Sequence, residues 1–131
     1  MRAAPGTGVA AVIEEAGYAD LPILLKGEIP EFVRFGRPLR PAILLAGRLF
    51  PDFDPWDVVP KEDAAKLSDE GIPLFVIHST EDGIVPYEQA RIFAAAHPDA
   101  RVWKLEGYAH VEAYQHPEYA QRLRAFLDAS W

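Results

Sequence analysis

Two polar residues stand where an acid and a base could meet. Asp82 lies in T-E-D-G, shortly after the apolar residues 73–78, and His110 ends E-G-Y-A-H, shortly after residues 101–105. A carboxylate bonded to one imidazole nitrogen holds the tautomer of the ring and stabilises the imidazolium, so that the other nitrogen works as a base. Asp82 and His110 are therefore the candidate catalytic residues, with Asp82 serving His110.

Three apolar segments predict the strands that position this pair. Residues 9–13 and 73–78 have the composition of buried strands, and residues 101–105 alternate in the way expected of a shorter strand near an edge. Helical patterns occupy residues 87–97 and 117–129. The alternation of strand and helix predicts a parallel sheet, and ligands bind at the carboxyl ends of such strands. Asp82 and His110 should both lie at that end.

About fifty residues separate the first two predicted strands, more than one crossover helix requires. Seven prolines and many apolar side chains occur between residues 20 and 62. This composition predicts a helical cap or lid inserted over the sheet, within one domain of 131 residues. The apolar side chains could line an acyl or aromatic pocket or could simply pack the cap, and the sequence leaves both interpretations open.

Composition excludes several classes of function. The net charge of -7 argues against nucleic acid and against anionic membrane surfaces, both of which need clustered Lys and Arg. The absence of cysteine excludes disulfides and thiolate sites for metals or for nucleophilic catalysis. No signal peptide or membrane-spanning run is visible, so we expect a cytoplasmic protein.

The chain resembles the C-terminal half of an α/β-hydrolase. The segment I-P-L-F-V-I-H-S-T-E-D-G-I-V-P, the later G-Y-A-H and the final R-A-F-L match the family segments for the triad acid, the triad histidine and the closing helix. The resemblance covers essentially all of the chain and implies a partial α/β-hydrolase fold, with the site loops in residues 72–115. It also implies hydrolysis of small-molecule ester, amide, thioester or peptide substrates, without a metal or an organic cofactor.

The sequence departs from the family pattern at two places. Ser79 follows His78 where the family has Gly, and only a small residue is needed there. The G-x-S-x-G elbow that carries the nucleophile is missing, because Ser68, Ser79 and Ser130 are the only serines and none has that setting. We therefore expect the chain alone to be inactive as an esterase. Its alternative function is that of a hydrolase remnant serving as a binding or assembly module.

Each candidate residue also has a simpler interpretation. Asp82 could be a turn residue, since D-G favours turns, and His110 could be an ordinary loop histidine. His78 is expected to be structural, bonded to loop backbone. His97 and His116 are expected at helix ends.

Two further features of the sequence bear on the site and on assembly. Glu14 and Glu15 end the first predicted strand on the ligand side. Glu14 could line the site, but a solvated turn is the favoured interpretation. By resemblance, the strand at residues 9–13 lacks the neighbour that would carry the nucleophile. An open apolar edge there predicts self-association or binding of a companion chain.

Overall fold

The structure, a computed structural model, describes residues 8–21, residue 23 and residues 58–130. Its elements are β1 (Val12–Glu15), α1 (Pro60–Asp69), β2 (Leu74–Ser79), α2 (Glu88–Ala96), β3 (Arg101–Leu105), a 3₁₀ turn (Ala113–Gln115) and α3 (Tyr119–Asp128). The predicted alternation is confirmed for the three strands and for α2 and α3, whereas the sequence assigned no helix specifically to the range of α1.

The three described strands form one parallel sheet in the order β1-β2-β3. Glu15 pairs with Ile77 and Ser79 pairs with Leu105, so the strands end along one edge of the sheet. Every residue of β2 is buried, as expected of a central strand covered on both faces. In β3 only Trp103 and Leu105 are buried, which fits the outer position of this strand in the described sheet.

Helices cover both faces of the sheet. On one face α1 and α2 pack against β2 through a cluster formed by Ala19, Ala64, Leu74, Val76, Ala90 and Phe93. On the other face α3 and the 3₁₀ turn pack through Phe75, Ile77, Trp103, Leu105, Ala113 and Phe126. Burying a large apolar side chain contributes roughly 1.5–3 kcal/mol, so these two clusters hold the strand ends in place.

Proline and glycine set the limits of the helices. Pro60 opens α1, where its missing N–H costs nothing. Gly71 follows α1 with a φ of 68°, a left-handed conformation that glycine adopts easily, and the turn delivers the chain to β2. Pro98 follows the end of α2 and disfavours helical backbone at His97. The helices α2 and α3 are shorter than the predicted ranges 87–97 and 117–129, because residues 87, 97, 117, 118 and 129 lie outside them.

The predicted strand at residues 9–13 is misplaced, because β1 spans Val12–Glu15. The first bond of the ladder runs from the Val12 N–H to the Pro73 carbonyl at 2.9 Å. Pro73 has no N–H, so β2 offers no donor that would extend the ladder toward residue 9. The strand consequently begins three residues later and includes both glutamates.

The predicted cap at residues 20–62 falls largely on residues outside the described ranges. The N–H of Leu21 donates to the carbonyl of Val58 at 3.2 Å, and the N–H of Lys61 donates to the carbonyl of Ala19 at 2.8 Å. Residues 21 and 58, near the two ends of the predicted cap, therefore lie next to each other. Residues 60–62 already belong to α1. The limits of the cap stay a prediction.

Within the described ranges, none of the helices has the length and apolar character needed to cross a bilayer.

Candidate active site

Asp82 lies in the loop after β2, with its side chain completely buried. Its Oδ1 atom accepts the backbone N–H groups of Ile84 at 2.9 Å and Val85 at 2.8 Å. This is the turn-forming bond that the D-G dipeptide suggested. These bonds occupy only Oδ1 of the carboxylate. Asp82 can therefore be both a turn residue and a candidate catalytic residue, because the turn leaves Oδ2 available.

His110 meets that second oxygen. Its Nδ1 atom lies 2.8 Å from Asp82 Oδ2, and its side chain is 28% exposed. A carboxylate oxygen accepts, so the proton of this bond is on Nδ1, and Nε2 of the neutral ring has a free lone pair. The next residue, Val111, has a φ of 57°, which is unusual for a β-branched side chain and gives the chain a sharp turn directly after His110. The two residues singled out from the sequence therefore lie in direct contact.

His78 stabilises the loop after β2 that carries Asp82, here called the acid loop. Its Nε2 atom lies 2.8 Å from the carbonyl oxygen of Val85 and 3.6 Å from Asp82 Oδ2. Because a carbonyl only accepts, Nε2 carries the proton and donates it to Val85, and the longer contact is too long for a hydrogen bond. His78 is buried at the end of β2 and bonded to loop backbone, in the structural role expected from the sequence.

Two side chains at or just after the end of β2 also connect the acid loop to the loop that carries His110, here called the histidine loop. The Ser79 hydroxyl donates to the carbonyl of Tyr108 and accepts the N–H of Glu81. The Glu81 carboxylate accepts the N–H of Gly107 at 2.9 Å. The sequence pattern indicated only that a small side chain is needed at Ser79, and it did not single out Glu81. The available signal was the polar run S-T-E directly after a buried strand.

At this end of the sheet, the Glu14 carboxyl has a strongly raised pKa. Burial raises its pKa from 4.5 to about 7, against the opposing effect of a hydrogen bond from the Gly17 N–H, while the neighbouring Glu15 adds to the rise. Its Oε2 atom is buried and has no hydrogen-bond partner among the described residues. The expected solvated turn is therefore wrong for Glu14.

Glu15 adjoins the histidine loop from the other face of the sheet. Its Oε2 atom accepts the hydroxyl of Tyr119 at 2.8 Å, and burial raises the pKa of that phenol to about 12, helped by the bond to Glu15. Glu15, Ala109 and Val111 line a cavity of about 10 Å³. A space of this size holds about one water molecule.

The remaining histidines lie apart from the pair. His97 follows the last residue of α2 and its Nε2 atom bonds to the carbonyl of Ile72 at 2.9 Å. His116 follows the 3₁₀ turn, where its Nδ1 atom accepts the N–H of Glu118 at 3.1 Å and its ring packs edge-on against Trp103. The expected positions at helix ends are confirmed.

No family model and no curated protein matches the sequence. Among solved structures, the chain is similar to a crystal structure from Mycobacterium tuberculosis H37Rv, provisionally assigned as the non-heme bromoperoxidase BpoC. The TM-score is 0.55 at 16% sequence identity, and the match covers 94% of this chain and 59% of that one. The chain thus spans less than two thirds of the length of that neighbour.

The neighbour has an α/β-hydrolase fold, and likeness at this identity establishes the fold alone. The described part of the chain, three parallel strands with flanking helices, is a partial α/β-hydrolase fold. The fold class predicted from the sequence is confirmed.

A pair arranged in this way can take part in general acid–base catalysis. A buried carboxylate holds one nitrogen of a partly exposed imidazole, and the opposite nitrogen is left to take up and return a proton. The hydroxyl of Ser79 is engaged with the Tyr108 carbonyl and has no imidazole among its hydrogen-bond partners in the described ranges. The described residues thus contain a carboxylate–imidazole pair without a hydroxyl bonded to the imidazole.

Proposed function

We propose that this chain supplies the acid and the base of a serine hydrolase of the α/β-hydrolase type, acting on ester, amide or thioester substrates. The observation that carries the proposal is the 2.8 Å contact between His110 Nδ1 and the fully buried Oδ2 of Asp82. The nucleophile would come from polypeptide outside these residues, since the sequence contains no G-x-S-x-G.

In this reaction His110 Nε2 takes the proton of the nucleophilic hydroxyl as that oxygen attacks the substrate carbonyl. The same nitrogen then returns the proton to the leaving group, and a water molecule releases the acyl enzyme by the same route. Asp82 stabilises the transient imidazolium because its carboxylate is buried beside Nδ1. The two backbone N–H groups on Oδ1 keep the carboxylate from turning away.

The test begins with the coding DNA upstream of Met1, read in frame. If it encodes a G-x-S-x-G elbow, the complete polypeptide is expressed and hydrolysis of p-nitrophenyl butyrate is measured. Asp82→Asn and His110→Gln should lower kcat/KM by about three to four orders of magnitude. The matched control is Asp99→Asn, because Asp99 is exposed in the turn before β3, at the opposite end of the sheet.

Two results would overturn the proposal. One is hydrolysis that survives both substitutions at the pair. The other is a stop codon shortly upstream combined with no elbow on any chain that copurifies with this one.

The second candidate, a binding or assembly module, is favoured by the edge of β1. The N–H groups of Val12 and Ala16 bond to β2, so by strand alternation those of Ile13 and Glu15 point away from it. No described strand pairs with that side, and Ile13 is 36% exposed. We propose that this edge receives a strand, in line with the association predicted from the sequence, although the edge belongs to residues 12–15 rather than 9–13.

Light scattering after size-exclusion chromatography tests the edge. Ile13→Lys should abolish a dimer or a copurifying chain, because it places a charge on a pairing surface. The matched control is Val102→Lys, which alters an exposed residue of β3 on the far side of β2. A monomer in the unsubstituted chain, or equal behaviour of the two variants, would contradict the assignment.

A further inference from the structure

Ser79 is the last residue of β2 and is 5% exposed. Its hydroxyl donates one bond, to the carbonyl of Tyr108, and accepts one bond, from the N–H of Glu81 at 3.2 Å. A hydroxyl has a single proton to donate, so its donor capacity is fully used by the histidine loop. One side chain therefore joins two loops that are far apart in the sequence.

These two bonds end next to the candidate pair. Tyr108 precedes His110 by two residues, and Glu81 directly precedes Asp82. A glycine, the residue found at this position in the α/β-hydrolase segment that the chain resembles, has no side chain and could form neither bond. These bonds give a structural reason for Ser79, the one residue that differs from the family pattern in the segment that carries Asp82.

We propose that Ser79 is a positioning residue that holds the loop of His110 against the loop of Asp82 and so maintains the contact between His110 Nδ1 and Asp82 Oδ2. The proposal rests on the proposed function, since positioning matters only if the pair works. The Ser79 hydroxyl touches neither His110 nor Asp82, and it acts through the backbone that directly precedes each of them.

A second tie between the loops does not replace this one. The Glu81 carboxylate accepts the N–H of Gly107, but that bond is exposed to solvent. An exposed bond competes with water, whereas the carbonyl of Tyr108 is bonded from beneath by a buried hydroxyl. Removing the Ser79 hydroxyl should therefore loosen the histidine loop even with Glu81 in place.

The experiment follows the Nδ1 proton of His110 by NMR on the chain labelled with ¹⁵N-histidine. Ser79→Ala should speed exchange of that proton with water by about five- to tenfold, the factor expected when one hydrogen bond is lost. Ser79→Thr keeps a hydroxyl and should restore the slow exchange. The matched control is Thr80→Val, because the Thr80 hydroxyl and the Thr80 N–H both bond to the Leu105 carbonyl and the backbone bond remains.

An unchanged His110 proton in Ser79→Ala, or an equal effect in Thr80→Val, would overturn the assignment. If Ser79→Ala gives no dispersed amide spectrum, Ser79→Cys replaces it, because a thiol is a weak donor and keeps the volume. The readout needs no nucleophile, so failure of the hydrolysis assay leaves this test intact. Conversely, hydrolysis with an insensitive His110 proton would support the function and refute the role of Ser79.

Discussion

Glu14→Gln should remove a pH-dependent loss of stability. Glu14 ends in a buried oxygen without a described partner, and burial raises its pKa from 4.5 to about 7. The folded chain therefore keeps this carboxyl protonated in a pH range where the unfolded chain has released the proton. Gln has the same shape, cannot ionise, and retains an oxygen for the N–H of Gly17.

The sign and size follow from linkage. Below about pH 4.5 both states are protonated and the carboxyl costs nothing, whereas above about pH 7 the folded state holds a buried charge. One pKa unit corresponds to about 1.4 kcal/mol, so the loss between these limits is roughly 3 kcal/mol. That is a large part of a typical folding free energy of about 5–15 kcal/mol.

Urea unfolding followed by circular dichroism at several values from about pH 4.5 to about pH 8 measures this difference. The stability of Glu14→Gln relative to the unsubstituted chain should rise by roughly 3 kcal/mol across the range, whatever its offset at low pH. The control is Glu88→Gln, because Glu88 has a side chain that is 68% exposed and forms only a surface ion pair. Parallel curves for Glu14→Gln and the unsubstituted chain would refute the reasoning.

Three other substitutions test bonds and packing around the sheet, each by urea unfolding at neutral pH. Tyr119→Phe should lower the free energy of unfolding by about 1–3 kcal/mol, because it removes the hydroxyl that bonds to Glu15. Gln89→Met should lower it by a similar amount, about 1–3 kcal/mol, since the buried Gln89 oxygen accepts the N–H groups of residues 19 and 20. Phe126→Ala should lower it by about 3–5 kcal/mol through loss of the core contact between α3 and the sheet.

Each of these has an exposed counterpart of the same residue type or helix. Tyr114→Phe, Gln121→Met and Leu127→Ala alter exposed side chains and should each stay within about 0.5 kcal/mol of the unsubstituted chain. A buried substitution that is no more costly than its counterpart would contradict the contact assigned to it.

The local pattern of apolar residues was sufficient to predict β2, which is buried throughout, and β3, which is buried on one face. The limits of β3 are as predicted and those of β2 are shifted by one residue, because apolar residues bounded by turns are typical of strands. The limits of β1 could not be predicted. They depend on the missing N–H of Pro73, in a segment about sixty residues away in the sequence.

The same division applies to the candidate site. The positions of Asp82 and His110 after successive strands predicted that they would lie at one end of the sheet, and the contact at 2.8 Å bears this out. The burial of Glu14 and the bond from Ser79 to Tyr108 were not predictable, because no local pattern states which distant groups will surround a side chain.

The sequence by itself determined the alternation of the three strands with α2 and α3, the parallel sheet and the candidate pair Asp82 and His110, because these follow from periodicity and chain order. Only the tertiary structure decided which oxygen of Asp82 faces His110, which loops Ser79 joins, and that Glu14 is held away from water. Those features arise from contacts between segments remote in the sequence, and such contacts exist only once the sheet has assembled.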